Sequence, residues 1–161
     1  MVEINQQDQA VTALEQGIIA LFADGVKVIG LTKSVGEIYG LLFSRDAALS
    51  LDDLVSLLDV SKGTASQGLK MLRTLGAIKE VQTADSRKTY YQADIELKSL
   101  VGGFIREEVR PHMKSAELKI GALRELVDDS DAFALDRIER LDKWRRKAGL
   151  LLPILQKILS S

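Results

Sequence analysis

Lys62, Thr64, Ser66, Gln67 and Lys70 fall within one short stretch of the chain. Side chains of these types donate to and accept from base edges and phosphate oxygens. At helical spacing they share one face, while Ala65, Leu69 and Leu72 share the opposite one. An apolar back can anchor such a helix while a polar front enters the major groove of DNA. Gln67 suits the edge of adenine, and Lys70 suits guanine or a phosphate. Gly63, Ala65, Ser66 and Gly68 are small enough to allow close approach. Ser61 and Arg73, at the two ends of the stretch, complete the candidate contact set on this helix.

Such a face works only if something holds it. Ser50-Leu51-Asp52-Asp53 reads as a capping box opening a short helix with Leu51, Leu54, Val55 and Leu58 on one stripe. Leu58-Asp59-Val60-Ser61 then forms the turn. Ser61 caps the second helix, without an acidic partner at Thr64, and Gly76 stops it. The period next changes from helical to alternating. Residues 77–81 and 88–92 are rich in β-formers and flank the turn-like run Thr83-Ala84-Asp85-Ser86-Arg87. They predict an antiparallel hairpin with Arg87 and Lys88 at its tip, placed to reach phosphates or a minor groove. Phosphate contacts position a protein, and base contacts specify its site.

Charge agrees with this division. Net charge is −1 over 161 residues, yet residues 61–90 carry six Lys/Arg against two Asp/Glu. Residues 1–60 carry three against nine, and residues 91–161 thirteen against twelve. A local basic face is sufficient for phosphate contact.

The flanks are helical. A first helix is expected from about Gln6 to Ala23, with Val11, Leu14, Ile18 and Leu21 or Phe22 on one face, stopped by Asp24-Gly25. Ser34-Val35-Gly36-Glu37 reads as a second capping box. After Asp94 the pattern is helical to the end. Gly102-Gly103 and Pro111 weaken or bend the first part, and Val127 to Asp131 break it. A last helix starts near Ala132, and Pro153 begins a new turn or kinks it. Its stripe of Ala134, Ile138, Leu141, Ala148, Leu152, Leu155 and Leu159 recurs at close to 3.5 residues.

The run from Ser61 to Gly76 resembles the recognition helix of MarR and ArsR winged-helix regulators, and in particular the GbsR branch of the MarR type. Lys33 to Leu42 and the pair Tyr90-Tyr91 fit that branch too, so the resemblance covers about residues 27 to 95. It implies a winged helix-turn-helix: mainly α, with a small antiparallel β-hairpin wing and flanking dimerisation helices. The expected organisation is an N-terminal dimerisation helix over 1–25, a DNA-binding domain over 26–95 and a C-terminal dimerisation region over 96–161. It further implies a homodimeric, sequence-specific transcriptional regulator, a repressor, bound to double-stranded operator DNA and modulated by a small-molecule effector. By position, Ser61, Lys62, Thr64, Ser66, Gln67, Lys70, Arg73, Arg87 and Lys88 would face DNA. Compatible solutes such as choline and glycine betaine are linked to the branch, and a quaternary ammonium group wants an aromatic cage. Tyr39, Phe104 and Trp144 are the candidates for it, although aromatics are only 5% of this chain.

Other chemistry is poorly supplied. There is no cysteine, which excludes disulfides, Cys-ligated zinc and thiol catalysis and suits a cytoplasmic protein. His112 is the single histidine, too little for zinc and for the metal-sensing ArsR type. Asp128, Asp129 and Asp131 lack the alternating ligands and glycine of a calcium loop. Lys143-Trp144-Arg145-Arg146-Lys147 reads as a solvated helix face. No paired nucleophile and base, phosphate-binding loop or dinucleotide fingerprint occurs, so neither an enzyme nor a cofactor is expected. The start of the chain lacks the basic and apolar pattern of a signal peptide, and residues 149–159 are too short and too interrupted to span a bilayer. A protein-interaction adaptor and a sequence-indifferent architectural DNA-binding protein remain open beside the regulator.

Overall fold

The computed structural model describes residues 10–83 and 87–160. It divides into two compact units, residues 1–100 and 101–161. Helix takes up 72% of the chain, so the expected mainly α class holds.

In the first unit, α1 (Ala13–Val28) and α2 (Lys33–Ser44) pack as a pair, followed by β1 (Leu49–Ser50), α3 (Leu51–Leu58), α4 (Lys62–Thr74), β2 (Ile78–Val81) and β3 (Tyr90–Ala93). The expected start of α1 at Gln6 lies outside the described residues. The described helix opens at Thr12, which forms a full capping box with Glu15. Asp24-Gly25 does not end it. Lys27 pairs with Asp24 inside the helix at 2.9 Å, and Val26 is buried, so the helix continues to Val28. It ends instead before Gly30, whose φ of +79° is a conformation that favours glycine.

The second expected capping box is also corrected. α2 begins two residues earlier, at Lys33, with Thr32 in place of Ser34 at the cap position. Ser34 shares a hydroxyl contact with Thr32, and Glu37 pairs with Lys33 at 3.1 Å instead of reaching back. A side chain on Gly36 would fall on the backbone at Phe22, so this glycine is what lets α1 and α2 approach closely. Arg45, just past α2, binds both carboxylate oxygens of Glu15 at 2.8 and 3.1 Å, and the pair is mostly shielded from solvent. Phe22, Tyr39 and Phe43 form an aromatic cluster between the two helices, with Phe22 edge-on to Tyr39 at 4.9 Å.

The sheet is antiparallel in the order β1-β3-β2. Ile78 to Val81 pair with Ala93 to Tyr90, which is the expected wing, although its second strand begins at Tyr90 and leaves Lys88 and Thr89 outside it. β1 was not expected. It is two residues long, and Leu49 and Ser50 pair with Tyr91 and Tyr90. The core of this unit lies between α2, α3 and α4, where Ile38, Leu41, Leu54, Ala65 and Leu72 are fully buried.

α5 (Leu97–Phe104) carries the chain into the second unit. There a π-helical turn (Ile105–Val109) leads into α6 (Arg110–Glu125). The irregular turn falls between Gly102-Gly103 and Pro111, where distortion is expected, and Pro111 sits in the first turn of α6, where its missing N–H is tolerated. After the break at residues 126–131, α7 (Ala132–Ser160) passes through Pro153 as one element, so Pro153 does not start a new helix. Gly103 and Ile105 are the buried residues described in this unit, and α6 buries none.

Candidate nucleic-acid interface

The site is built from α3, the turn and α4. Ser50 accepts from the Asp53 amide, and Asp53 accepts from the Ser50 amide at 2.8 Å, as the sequence suggests. The turn passes through Asp59 in the left-handed region, φ +52°, which an Asp tolerates better than a bulky residue. Ser61 accepts from the Thr64 amide at 3.0 Å and donates to the Thr64 hydroxyl. At the far end Gly76, φ +69°, closes a Schellman motif: its N–H donates to Arg73 and that of Ala77 donates to Leu72.

The two faces of α4 separate as the spacing requires. Ala65, Gly68, Leu69 and Leu72 are buried, while Lys62, Ser66, Gln67, Lys70 and Arg73 are exposed and Thr64 is half-buried. One expectation changes. Ala65 and Gly68 do not make room for a ligand, because they face inward. A side chain on Gly68 would fall on the tip of Ile38, so the small residue serves the packing of α4 on α2. Gly63 and Ser66 stay on the outer surface.

Two of the charges there are paired. Arg73 Nη1 lies 2.9 Å from Glu80 on β2, and Lys88 Nζ lies 2.9 Å from Asp52 on α3. The lysine holds the Asp52 carboxyl below its ordinary range, and the carboxylate raises Lys88. Ser61 is committed to its helix cap. Arg87 is exposed beside residues 84–86, which lie outside the described set and include most of the expected wing turn.

Two shallow concavities border the exposed face of α4. One, about 310 Å³, is lined by Leu51, Ser66, Leu69, Lys70, Arg73 and Tyr91. The other, about 230 Å³, includes Asp52, Lys62, Lys88, Thr89 and Tyr91. Tyr91 borders both. It and the acids Asp52 and Glu80 were not among the expected site residues. The signal for Tyr91 was its place in a strand; its nearness to α4 depends on the β1-β3-β2 order, which no local pattern encodes.

The aromatic candidates for an effector cage are not alike. Tyr39 is a core residue: it is fully buried, its hydroxyl donates to the Asp94 carbonyl at 2.7 Å, and burial pushes its pKa up to about 12. Trp144 is 73% exposed on α7, and Phe104 is half-buried at the end of α5. In the basic run, Arg145 and Arg146 both pair with Asp142. His112 is exposed. Asp128 accepts from the Ser130 amide and Asp131 from the Ala134 amide, so both serve the turn and the start of α7. Among the described residues no group of three or more His, Cys, Asp or Glu is placed to hold a metal ion, and no helix is long and apolar enough to cross a membrane.

No family model matches the chain. The HTH-type transcriptional repressor GbsR of Bacillus subtilis strain 168 is 33% identical over 85 residues, which are 51% of this chain and 47% of that protein. The chain thus matches about half the length of this curated relative. A solved structure described as a transcriptional regulator superposes with a TM-score of 0.72 at 20% identity, covering 91% of this chain and 95% of the other. The resemblance to GbsR-type regulators therefore holds in sequence over half of the chain, and the solved structure shares the chain's fold over nearly all of it.

Proposed function

We propose that this chain is a sequence-specific DNA-binding transcriptional repressor that acts in the cytoplasm as a homodimer. The observation that carries the reading is α4: an exposed row of Lys62, Ser66, Gln67, Lys70 and Arg73 on a helix whose back is sealed into the core. Such a helix is rigid enough to present side chains to a groove. The GbsR relative, a repressor by name, supports the same reading.

Dimerisation is supported by apolar surface. On α1, Leu14, Leu21 and Val28 recur every seven residues and are 75%, 70% and 87% exposed. On α7, Leu150, Leu151, Ile154, Leu155 and Ile158 are exposed in close succession. A second copy is the fitting occupant, because one recognition helix makes few base contacts and a two-fold pair reads two half-sites about 34–36 Å apart. Control by a small molecule rests on the resemblance alone, and thermal-shift titration with quaternary ammonium solutes tests it.

The central experiment is fluorescence anisotropy with fragments selected from the protein's own genome. A selected duplex is expected to bind at least tenfold tighter than an unrelated one. Equal affinity for both would favour an architectural protein and overturn specificity. No binding to either at low salt would overturn the whole reading and leave an interaction adaptor.

A further inference from the structure

The proposed DNA face carries an acid at the place where the wing should meet a phosphate. Asp52 is the second residue of α3, and its Oδ2 lies 2.9 Å from Lys88 Nζ. Lys62, at the first position of α4, borders the same concavity and adds weakly to what holds the Asp52 carboxyl low. Asp53 and Tyr90 act on Lys88 as well, more weakly than Asp52. The two neighbouring acids differ in their work. Asp53 closes the capping box with Ser50, whereas Asp52 makes no bond of that box and points its carboxylate at the wing lysine. Both members of the Asp52–Lys88 pair are more than half exposed, so the pair adds little to folding. Its position at the mouth of a concavity with two lysines suggests another use.

We propose that Asp52 is an internal competitor for the DNA backbone: it occupies Lys88 in the free protein and must be exchanged for a phosphate oxygen when the wing docks. The proposal rests on the DNA-binding reading above. The exchange leaves a carboxylate close to a phosphate, which repels it and gathers a cation from solution. Asp52 thereby lowers affinity for any duplex and flattens the salt dependence of binding. It limits the sequence-independent part of recognition, the part that would hold the protein on unrelated DNA.

The test compares wild type, D52N, K88M and the double variant on a selected duplex and on an unrelated duplex of equal length, across a salt series. Near 0.1 M salt, removing one negative charge a few ångströms from a phosphate is expected to tighten both complexes about three- to tenfold. The slope of log affinity against log salt should steepen by up to about one, because no cation is taken up at Asp52. The gain from D52N should shrink at least twofold once Lys88 is gone. Circular dichroism and melting of each variant report on folding. Asp52 also favours the start of α3, so structural damage would weaken DNA binding, the opposite direction. If D52N binds more weakly than wild type, or within twofold of it at every salt, the competitor role is overturned while the functional reading survives. If wild type and D52N alike bind no duplex at low salt, the functional reading falls and takes this proposal with it.

Discussion

The two units of this chain use apolar residues in opposite ways. In residues 1–100, large side chains from α2, α3 and α4 meet in a sealed core, where Ile38, Tyr39, Leu41, Leu54 and Leu72 have no exposed surface. In residues 101–161, Leu118, Leu126, Phe133, Leu150 and Ile154 are all more than half exposed, and only Gly103 and Ile105 are buried among the described residues. Two helices can shield one stripe each, and α6 and α7 carry more apolar surface than that. The first unit therefore has a sealed core of its own, although α1 leaves Leu14, Leu21 and Val28 exposed. The second leaves a run of apolar side chains in solvent, and such a run, unlike scattered exposed leucines, is the surface on which the proposed dimer rests.

The largest effects should separate the two units. Leu72→Ala leaves a cavity under α4 and is expected to cost about 2–5 kcal/mol, read by denaturant unfolding. Leu118→Ala, the same kind of truncation in α6, should cost far less in a dilute monomer. A loss of similar size would show that the second unit has a core of its own and would break the comparison.

Oligomeric state sharpens it next. Ile154→Asp with Leu155→Asp should convert a dimer to a monomer in sedimentation and lower operator affinity at least tenfold. The unfolding midpoint of residues 1–100, followed by amide exchange at Leu54 and Leu72, should hardly move. A mass unchanged from wild type would remove α7 from the interface.

Smaller effects lie in the supports of the site. Ser61→Ala removes the hydroxyl that caps α4 and is expected to cost about 1 kcal/mol. Any loss of DNA affinity from this variant should follow that destabilisation, because the hydroxyl is spent on Thr64.

The smallest effect is one of pH. The Arg45 guanidinium holds the Glu15 carboxyl below its usual value of 4.5. A carboxyl lowered on folding stabilises the fold above its unfolded value, and this advantage fades as pH falls through the folded one. The excess stability of wild type over Arg45→Met should thus be full at pH 7 and decline below about 4.5, measured by urea unfolding in steps. A difference that does not vary with pH would mean Arg45 acts by packing alone.

Much of the site was legible because it is local. A Ser or Thr with an acid three residues on, a small residue between helical leucines and a glycine after a helix act within a few residues of themselves. Ser50, Ser61 and Gly76 therefore behave as read. The same kind of signature was present at Thr12 and Glu15, where the periodicity upstream pointed to an earlier start. Asp24-Gly25 looked like a stop because glycine weakens a helix, but the burial of Val26 outweighs that cost. The role of Gly68 was misassigned for a related reason: one helix has two faces, and a small residue fits a close approach on either.

The sequence by itself determined the helix-turn-helix, the hairpin, the polar front and apolar back of α4 and the likeness to GbsR-type regulators. These depend on spacing, capping and side-chain type. Tertiary structure alone decided that Tyr39 is core, that β1 joins the sheet, that Tyr91 borders the exposed face of α4, and that Asp52 and Glu80 stand opposite Lys88 and Arg73. Most of those facts join residues distant in the chain, and even for Arg73 and Glu80, seven positions apart, only the closing of one element on another sets the distance between the two charges.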